Sequence, residues 1–277
     1  MKKGINIYAV PRDLSLDESF EMISRAGFDG VEMNMEEDPR GDGKIRIHAN
    51  CGEAELKAVK ETAEKYNLKI LSFVTPMLWS YPLTSHDVRA RERGKDAIKK
   101  MIDYAAFFGS DTVLVVPGQV NENTHYDHAY HNAQTALKEL APYAEDKKVY
   151  IGVENVWNKF LLSPLEMRDF VDSIGSDYVG VYFDIGNVLV NSFPDQWIKI
   201  LGKRIKKYHA KGFKTSVGNI TGFTTLLEGD INWRRVMDEI RKTGYNDFIT
   251  AELSPYKYGP FNLLKDTAEA FDTIFKL

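Results

Sequence analysis

Cysteine is nearly absent, with Cys51 the only one in 277 residues. An intrachain disulfide and a cysteine-built zinc cluster are therefore excluded, and a reducing, cytoplasmic setting is expected. Long apolar runs are missing as well. No stretch of about 18 uninterrupted apolar residues occurs, so no membrane-spanning helix is expected. The first residues, Met1 to Val10, run from basic to apolar, but Pro11, Arg12 and Asp13 end the run far short of a signal-peptide core. Positive charge is not in excess: 36 Lys and Arg stand against 40 Asp and Glu, a net charge of −4, which argues against nucleic acid as a partner. Neither a GxGxxG turn nor a P-loop is found, so a nucleotide has no ready-made cradle.

What the sequence does contain is alternation. Short apolar, β-rich runs at 4–10, 30–35, 69–76, 112–118, 150–156, 179–187, 205–212 and 247–253 are separated by segments of helical period, such as 16–26, 53–66, 87–108, 129–144, 165–174, 196–204 and 233–242. The last helix runs from Leu263 to the C-terminus. Glycine recurs at Gly27, Gly109, Gly175 and Gly244, each between a helix and the next strand, where a left-handed residue can end the helix. No low-complexity linker divides the chain. Eight strand-helix units in this length predict one domain over residues 1–277, a closed (β/α)8 TIM barrel, with an open doubly wound sheet as the alternative.

In such a barrel, chemistry belongs at the C-terminal ends of the strands. The fifth, sixth, seventh and eighth candidate strands reach Glu154, Asp184, His209 and Glu252 there. A carboxylate closing an apolar strand needs a partner, a metal or solvent. Any one of these residues alone reads as a strand cap, but four on consecutive strands share one mouth. Three carboxylates and an imidazole suit one divalent ion such as Mn²⁺, Mg²⁺ or Co²⁺, with Zn²⁺ also compatible. Open positions on that ion would polarise a substrate carbonyl and acidify the adjacent C–H.

Secondary candidates surround these four. Lys211, two residues past His209, falls on the same face and is expected to meet a substrate hydroxyl or phosphate. Lys214, Thr215 and Ser216 lie where many barrels hold phosphate. Glu32 is expected to orient a substrate hydroxyl or a metal ligand, or else to sit in an internal ion pair. Asn155, Asn158 and Gln119 are candidate polyol partners, and Trp79 and Tyr81 candidate pocket walls. His125, His128 and His131 recur every three residues, but with Tyr126, Asp127 and Tyr130 interleaved they read as a solvated segment.

Ile151-Gly152-Val153-Glu154-Asn155, Phe183-Asp184-Ile185-Gly186-Asn187, the run from Lys203 to Lys211 and Ala251-Glu252-Leu253 resemble the xylose isomerase-like sugar epimerases and isomerases. The nearest groups are the tagatose/psicose 3-epimerases and the L-xylulose-5-phosphate 3-epimerases. The resemblance implies that Glu154, Asp184, His209 and Glu252 bind one divalent ion, and that Glu154 and Glu252 double as acid and base on opposite faces of a sugar or sugar phosphate. C3 of a ketose is then inverted through a cis-enediolate. An aldose-ketose isomerase and a keto-polyol dehydratase start with the same proton loss and are the alternatives. A homodimer or homotetramer is in keeping with the resemblance. This chain departs from the pattern at Phe160, where tagatose/psicose epimerases carry a substrate-contacting glutamate, and at Asn187, which replaces a histidine and is expected to contact substrate.

Overall fold

The computed structural model describes residues 1–39, 41, 42, 44 and 46–277. Eight parallel strands close into a barrel: β1 (Lys2–Asn6), β2 (Gly30–Asn34), β3 (Lys69–Val74), β4 (Thr112–Val115), β5 (Tyr150–Glu154), β6 (Val179–Asp184), β7 (Ile205–Ala210) and β10 (Phe248–Ala251), with β10 pairing back onto β1. Closure excludes the open sheet. Two short strands, β8 (Gly212–Phe213) and β9 (Phe223–Thr224), form an antiparallel hairpin over the mouth after β7. Helices α1 (Leu16–Ala26), α2 (Glu53–Lys65), α4 (Val88–Phe108), α5 (Tyr126–Lys147), α6 (Pro164–Asp172), α7 (Pro194–Leu201), α8 (Trp233–Thr243) and α9 (Pro260–Ile274) surround the barrel, and a short α3 (Met77–Ser80) follows β3.

The helices form for local reasons that the sequence displays. Helix α1 starts on a reciprocal Ser15–Glu18 capping box, buries Leu16, Phe20 and Ile23 at helical spacing, and ends on Gly27 at φ 93°. Gly109, Gly175 and Gly244 likewise take positive φ after their helices.

Two cores result. The larger lies between sheet and helices, where outward strand residues such as Val31, Phe73, Ile151, Phe183 and Ile249 meet Phe20, Ile98, Leu137, Phe170 and Trp197. The smaller fills the barrel with Leu114, Val116 and Tyr182. Much of the remaining interior is polar: Asn6, Glu32, Ser72, Asp184, Lys207, His209 and Thr250 are all essentially inaccessible, with Phe248 and Leu71 buried beside Gly30 and Gly4. Polar groups buried so deeply persist only when they are paired, so the barrel interior is organised around hydrogen bonds rather than close-packed aliphatics.

Several strands are shorter than their apolar runs predict, and in each case a side chain or proline takes over the ladder. After β1, Asn6 accepts the Tyr8 amide at 2.8 Å and residues Ile7–Ala9 form a 3-10 turn. Strand β4 stops at Val115, shortly before Pro117, which has no N–H to donate. Past β6, the Asp184 carboxylate accepts the Asn187 amide at 2.7 Å and turns the chain. Past Ala210, the run expected to continue β7 instead becomes the first hairpin strand.

Candidate active site

Inward-facing residues alternate along each strand, so β7 sends Lys207 and His209 into the barrel and Lys211 follows on the same side. His209 sits at the centre of the site. Its Nε2 lies 2.7 Å from Glu32 Oε1, and its Nδ1 faces Glu154 Oε1 at 3.1 Å, Glu252 Oε2 at 3.8 Å and Asp184 Oδ2 at 4.0 Å. The ligating atoms of Glu154, Asp184, His209 and Glu252 all lie within 4.8 Å of one another.

Glu32 lies beneath this cluster. It is completely buried, and besides His209 it accepts Asn6 Nδ2 at 2.7 Å, Ser72 Oγ at 2.6 Å and Tyr182 OH at 2.7 Å. Both carboxylate oxygens are thereby used, so Glu32 faces the back of His209 and has no oxygen left for a substrate hydroxyl. The ladder is irregular at Val31/Glu32 against β3 and at Val181/Tyr182 against β7, and bulges of this kind re-aim side chains. The Tyr182 ring also packs edge-on to His209, with centroids 4.7 Å apart. Asn6, Ser72 and Tyr182 were not singled out from sequence; their trace there is a polar group at an inward position of an otherwise apolar run.

The electrostatics follow from burial and neighbours. Burial alone would raise the Glu32 carboxyl, but His209, Ser72 and Tyr182 hold it below its ordinary value. Burial drives Glu154 up to about 7, His209 opposes the rise, and Glu252 and Asp184 add to it. Glu252 goes the other way, down to about 2, because Lys211 and then His209 outweigh its burial. His209 itself is raised despite burial, chiefly by Glu32 and Glu154.

The donor set fits a divalent cation on three counts. Among the described residues Asp184 Oδ2 is buried without a hydrogen bond; Lys211 Nζ is 3.0 Å away, a charge contact that lacks hydrogen-bond geometry. Nε2 of His209 is held 2.7 Å from Glu32, so a neutral ring with its proton on Nε2 would present Nδ1 to the other carboxylates, the carboxylate-histidine arrangement usual behind a metal ligand. Three carboxylate oxygens and one imidazole match Mg²⁺, Mn²⁺ or Co²⁺.

The remaining predicted residues divide clearly. Lys211 lies against Glu252 Oε2 as well as Asp184, so it reaches the site through the acids. Its placement depends on Gly186, where a Cβ would come within 2.6 Å of the Lys211 carbonyl. Asn155 and Asn187 are brought to the site but spend their side chains on the backbone: Asn155 bridges both the N–H and C=O of Asp184 at 2.9 Å, and Asn187 Nδ2 donates to the Asn155 carbonyl at 2.9 Å. They fix the Asp184 turn. Asn158 is similarly engaged with the Gly118 carbonyl and the Phe160 amide. Trp79 stands on α3, 49% exposed. Phe160 is buried among Tyr126, Tyr130 and Phe170. Thr215 gives its amide and hydroxyl to Asp230, and Lys214 pairs with Glu228 at 3.6 Å, which commits the expected phosphate segment elsewhere. His128 packs on His125 and on His86, a residue of another loop, and all three are exposed. A second group, His48, Cys51 and Glu55, is committed locally: Nδ1 of His48 accepts the Asn50 amide and Glu55 caps α2.

Comparison with known proteins adds ancestry to this geometry. A family model described as "Xylose isomerase-like TIM barrel" matches residues 20–276. An uncharacterized protein of Methanocaldococcus jannaschii, MJ1311, is 26% identical over 246 residues, covering 86% of this chain and 79% of its own. The putative L-ribulose-5-phosphate 3-epimerase SgbU of Escherichia coli K12 is 24% identical, covering 90% and 87%. Among solved structures, a D-tagatose 3-epimerase-like protein superposes with a TM-score of 0.80 at 24% identity, covering 100% of this chain and 98% of its own.

Proposed function

The chain belongs to the xylose isomerase-like TIM barrel family, and from that premise we propose that it is a metal-dependent epimerase that inverts C3 of a ketose or ketose phosphate. One observation carries the reading: Glu154, Asp184, His209 and Glu252 close four adjacent strands, β5, β6, β7 and β10, and the two glutamates stand at the ends of that arc. The names of the relatives, an L-ribulose-5-phosphate 3-epimerase and a D-tagatose 3-epimerase-like protein, support C3 over a 1,2-isomerisation. A divalent cation held by the four residues would supply electrophilic polarisation of the ketone and a neighbouring hydroxyl.

The side chains account for the rest of the chemistry. A sugar laid between Glu154 and Glu252 has a carboxyl group on each side; one takes the proton beside the ketone, giving an enediolate, and the other returns a proton to the opposite face. The roles exchange in the reverse reaction. Asp184 and His209 lie between the glutamates and are held by other partners: His209 by Glu32, and Asp184 by the Asn187 amide. Lys211, against Glu252 and Asp184, keeps their charge in balance within a poorly solvated mouth. Incubation with Mn²⁺, Mg²⁺ or Co²⁺ and a panel of ketoses and ketose phosphates tests the reading. The expected product is the C3 epimer of one of them; a dehydrated product, or no change in any, rules it out.

A further inference from the structure

A cavity of about 860 Å³ opens directly on Glu252 and Lys211. Its walls come from the loop after β1, with Tyr8 and Arg12, from the hairpin segment after β7, and from the loop after β10, with Ser254. In barrels the loops after the last two strands are a frequent place for a phosphate group.

The charges around this cavity are spent, with one exception. Lys211 is taken by Asp184 and Glu252, and Glu228 is matched by Lys214 at 3.6 Å and by the Thr225 hydroxyl at 3.3 Å. Arg12 differs. Among the described residues its guanidinium has no carboxylate partner; it lies over the Tyr8 ring, 5.5 Å from the centroid, and its own carbonyl is anchored by Arg46 at 2.8 Å. A guanidinium stacked on an aromatic ring keeps its planar fork of donors directed, the geometry that binds phosphate oxygens in pairs. The Ser254 hydroxyl, on the same cavity wall, also has no hydrogen bond among the described residues and is a second donor. Arg12 is exposed, and a phosphate would replace the water at its guanidinium with charge-assisted bonds that a neutral sugar hydroxyl does not offer.

We propose that the sugar substrate is a phosphate ester and that Arg12 binds its phosphate in this cavity, with the ketone end toward His209. The inference rests on the epimerase reading for the word sugar, but the anion site stands on Arg12 itself. Two measurements separate them. With metal-loaded protein, the KM for the matching ketose phosphate should rise about 10- to 100-fold in Arg12→Met, with a partial return in Arg12→Lys and a smaller effect on kcat. Inorganic phosphate, followed by calorimetry without any turnover, should bind wild type at least 10-fold more tightly than Arg12→Met. Wild type that handles the free ketose as well as its ester, or phosphate binding that is equal in wild type and Arg12→Met, overturns the proposal. Phosphate binding that depends on Arg12, found together with no C3 product from any sugar, leaves the anion site in place and removes the epimerase reading instead.

Discussion

The two ends of β7 carry the same kind of side chain and do opposite things with it. At the foot of the barrel, Lys207 is 1% exposed and meets Asp247 and, at 3.0 Å, Asp111, two acids that themselves reach solvent. Nothing is left over there. At the mouth, four carboxylates, Glu32, Glu154, Asp184 and Glu252, face one histidine and one lysine, Asp184 Oδ2 lacks a hydrogen bond among the described residues, and Glu252 opens on a cavity. A buried charge with solvated partners is a structural solution. A buried surplus of acceptors calls for a ligand, so unmet demand, more than burial or charge alone, separates the reactive end from the inert one.

The sharpest break in this comparison comes from the two glutamates. Glu154→Gln and Glu252→Gln should each lower turnover by about 10²- to 10⁴-fold while the circular dichroism spectrum stays that of the folded protein, since each removes a proton-transfer group. Either variant retaining near-full turnover would mean that the arc does not act as an acid-base pair.

Metal affinity gives the next largest effect. Saturating Mn²⁺ at about 100 times its Kd should stabilise chelated wild type by about 2.7 kcal/mol, read as a rise in Tm. Asp184→Asn should abolish most of that rise. Glu32→Gln, which never touches the ion, should weaken Mn²⁺ by about 10- to 100-fold because His209 loses the carboxylate that aligns it; unchanged affinity would show that Glu32 serves only the internal hydrogen-bond network.

A smaller effect is in pH. Burial pushes the Glu154 carboxyl up to about 7 from an ordinary value of 4.5. A carboxyl raised in this way contributes stability that is complete below about 4.5 and lost as pH rises through about 7, and raised His209 acts in the same direction. The Tm of chelator-treated protein should therefore fall between about pH 4.5 and pH 7, and Glu154→Gln should flatten that fall. The smallest effect belongs to the foot: Lys207→Met should change stability by no more than about 1–2 kcal/mol, because its acids remain solvated, and should leave Mn²⁺ affinity untouched.

Much of this comparison can be read from the sequence, and the rest cannot for identifiable reasons. The eight strands and the clustering of four residues are legible because short apolar, β-rich runs end in Glu154, Asp184, His209 and Glu252, and topology brings strand ends together whatever the side-chain detail. The mate of His209 is less legible. Glu32 is 177 residues away and on the far side of the barrel order, so only closure reveals that it supports the histidine instead of the sugar. Asn155 and Asn187 look like polyol ligands because amides can bind anything, and only the local turn shows both taken up by backbone. The hairpin after β7 is hidden because its strands are two residues each, too short for any period.

The most direct test is proton NMR in D₂O with metal-loaded wild type, Glu154→Gln and Glu252→Gln acting on whichever sugar is converted. Deuterium is expected at C3 of the inverted product from wild type, and loss of that product in both variants, since each face depends on its own glutamate. An inverted product that carries no solvent deuterium, or inversion by either variant at the wild-type rate, would contradict transfer between two carboxyl groups at the mouth.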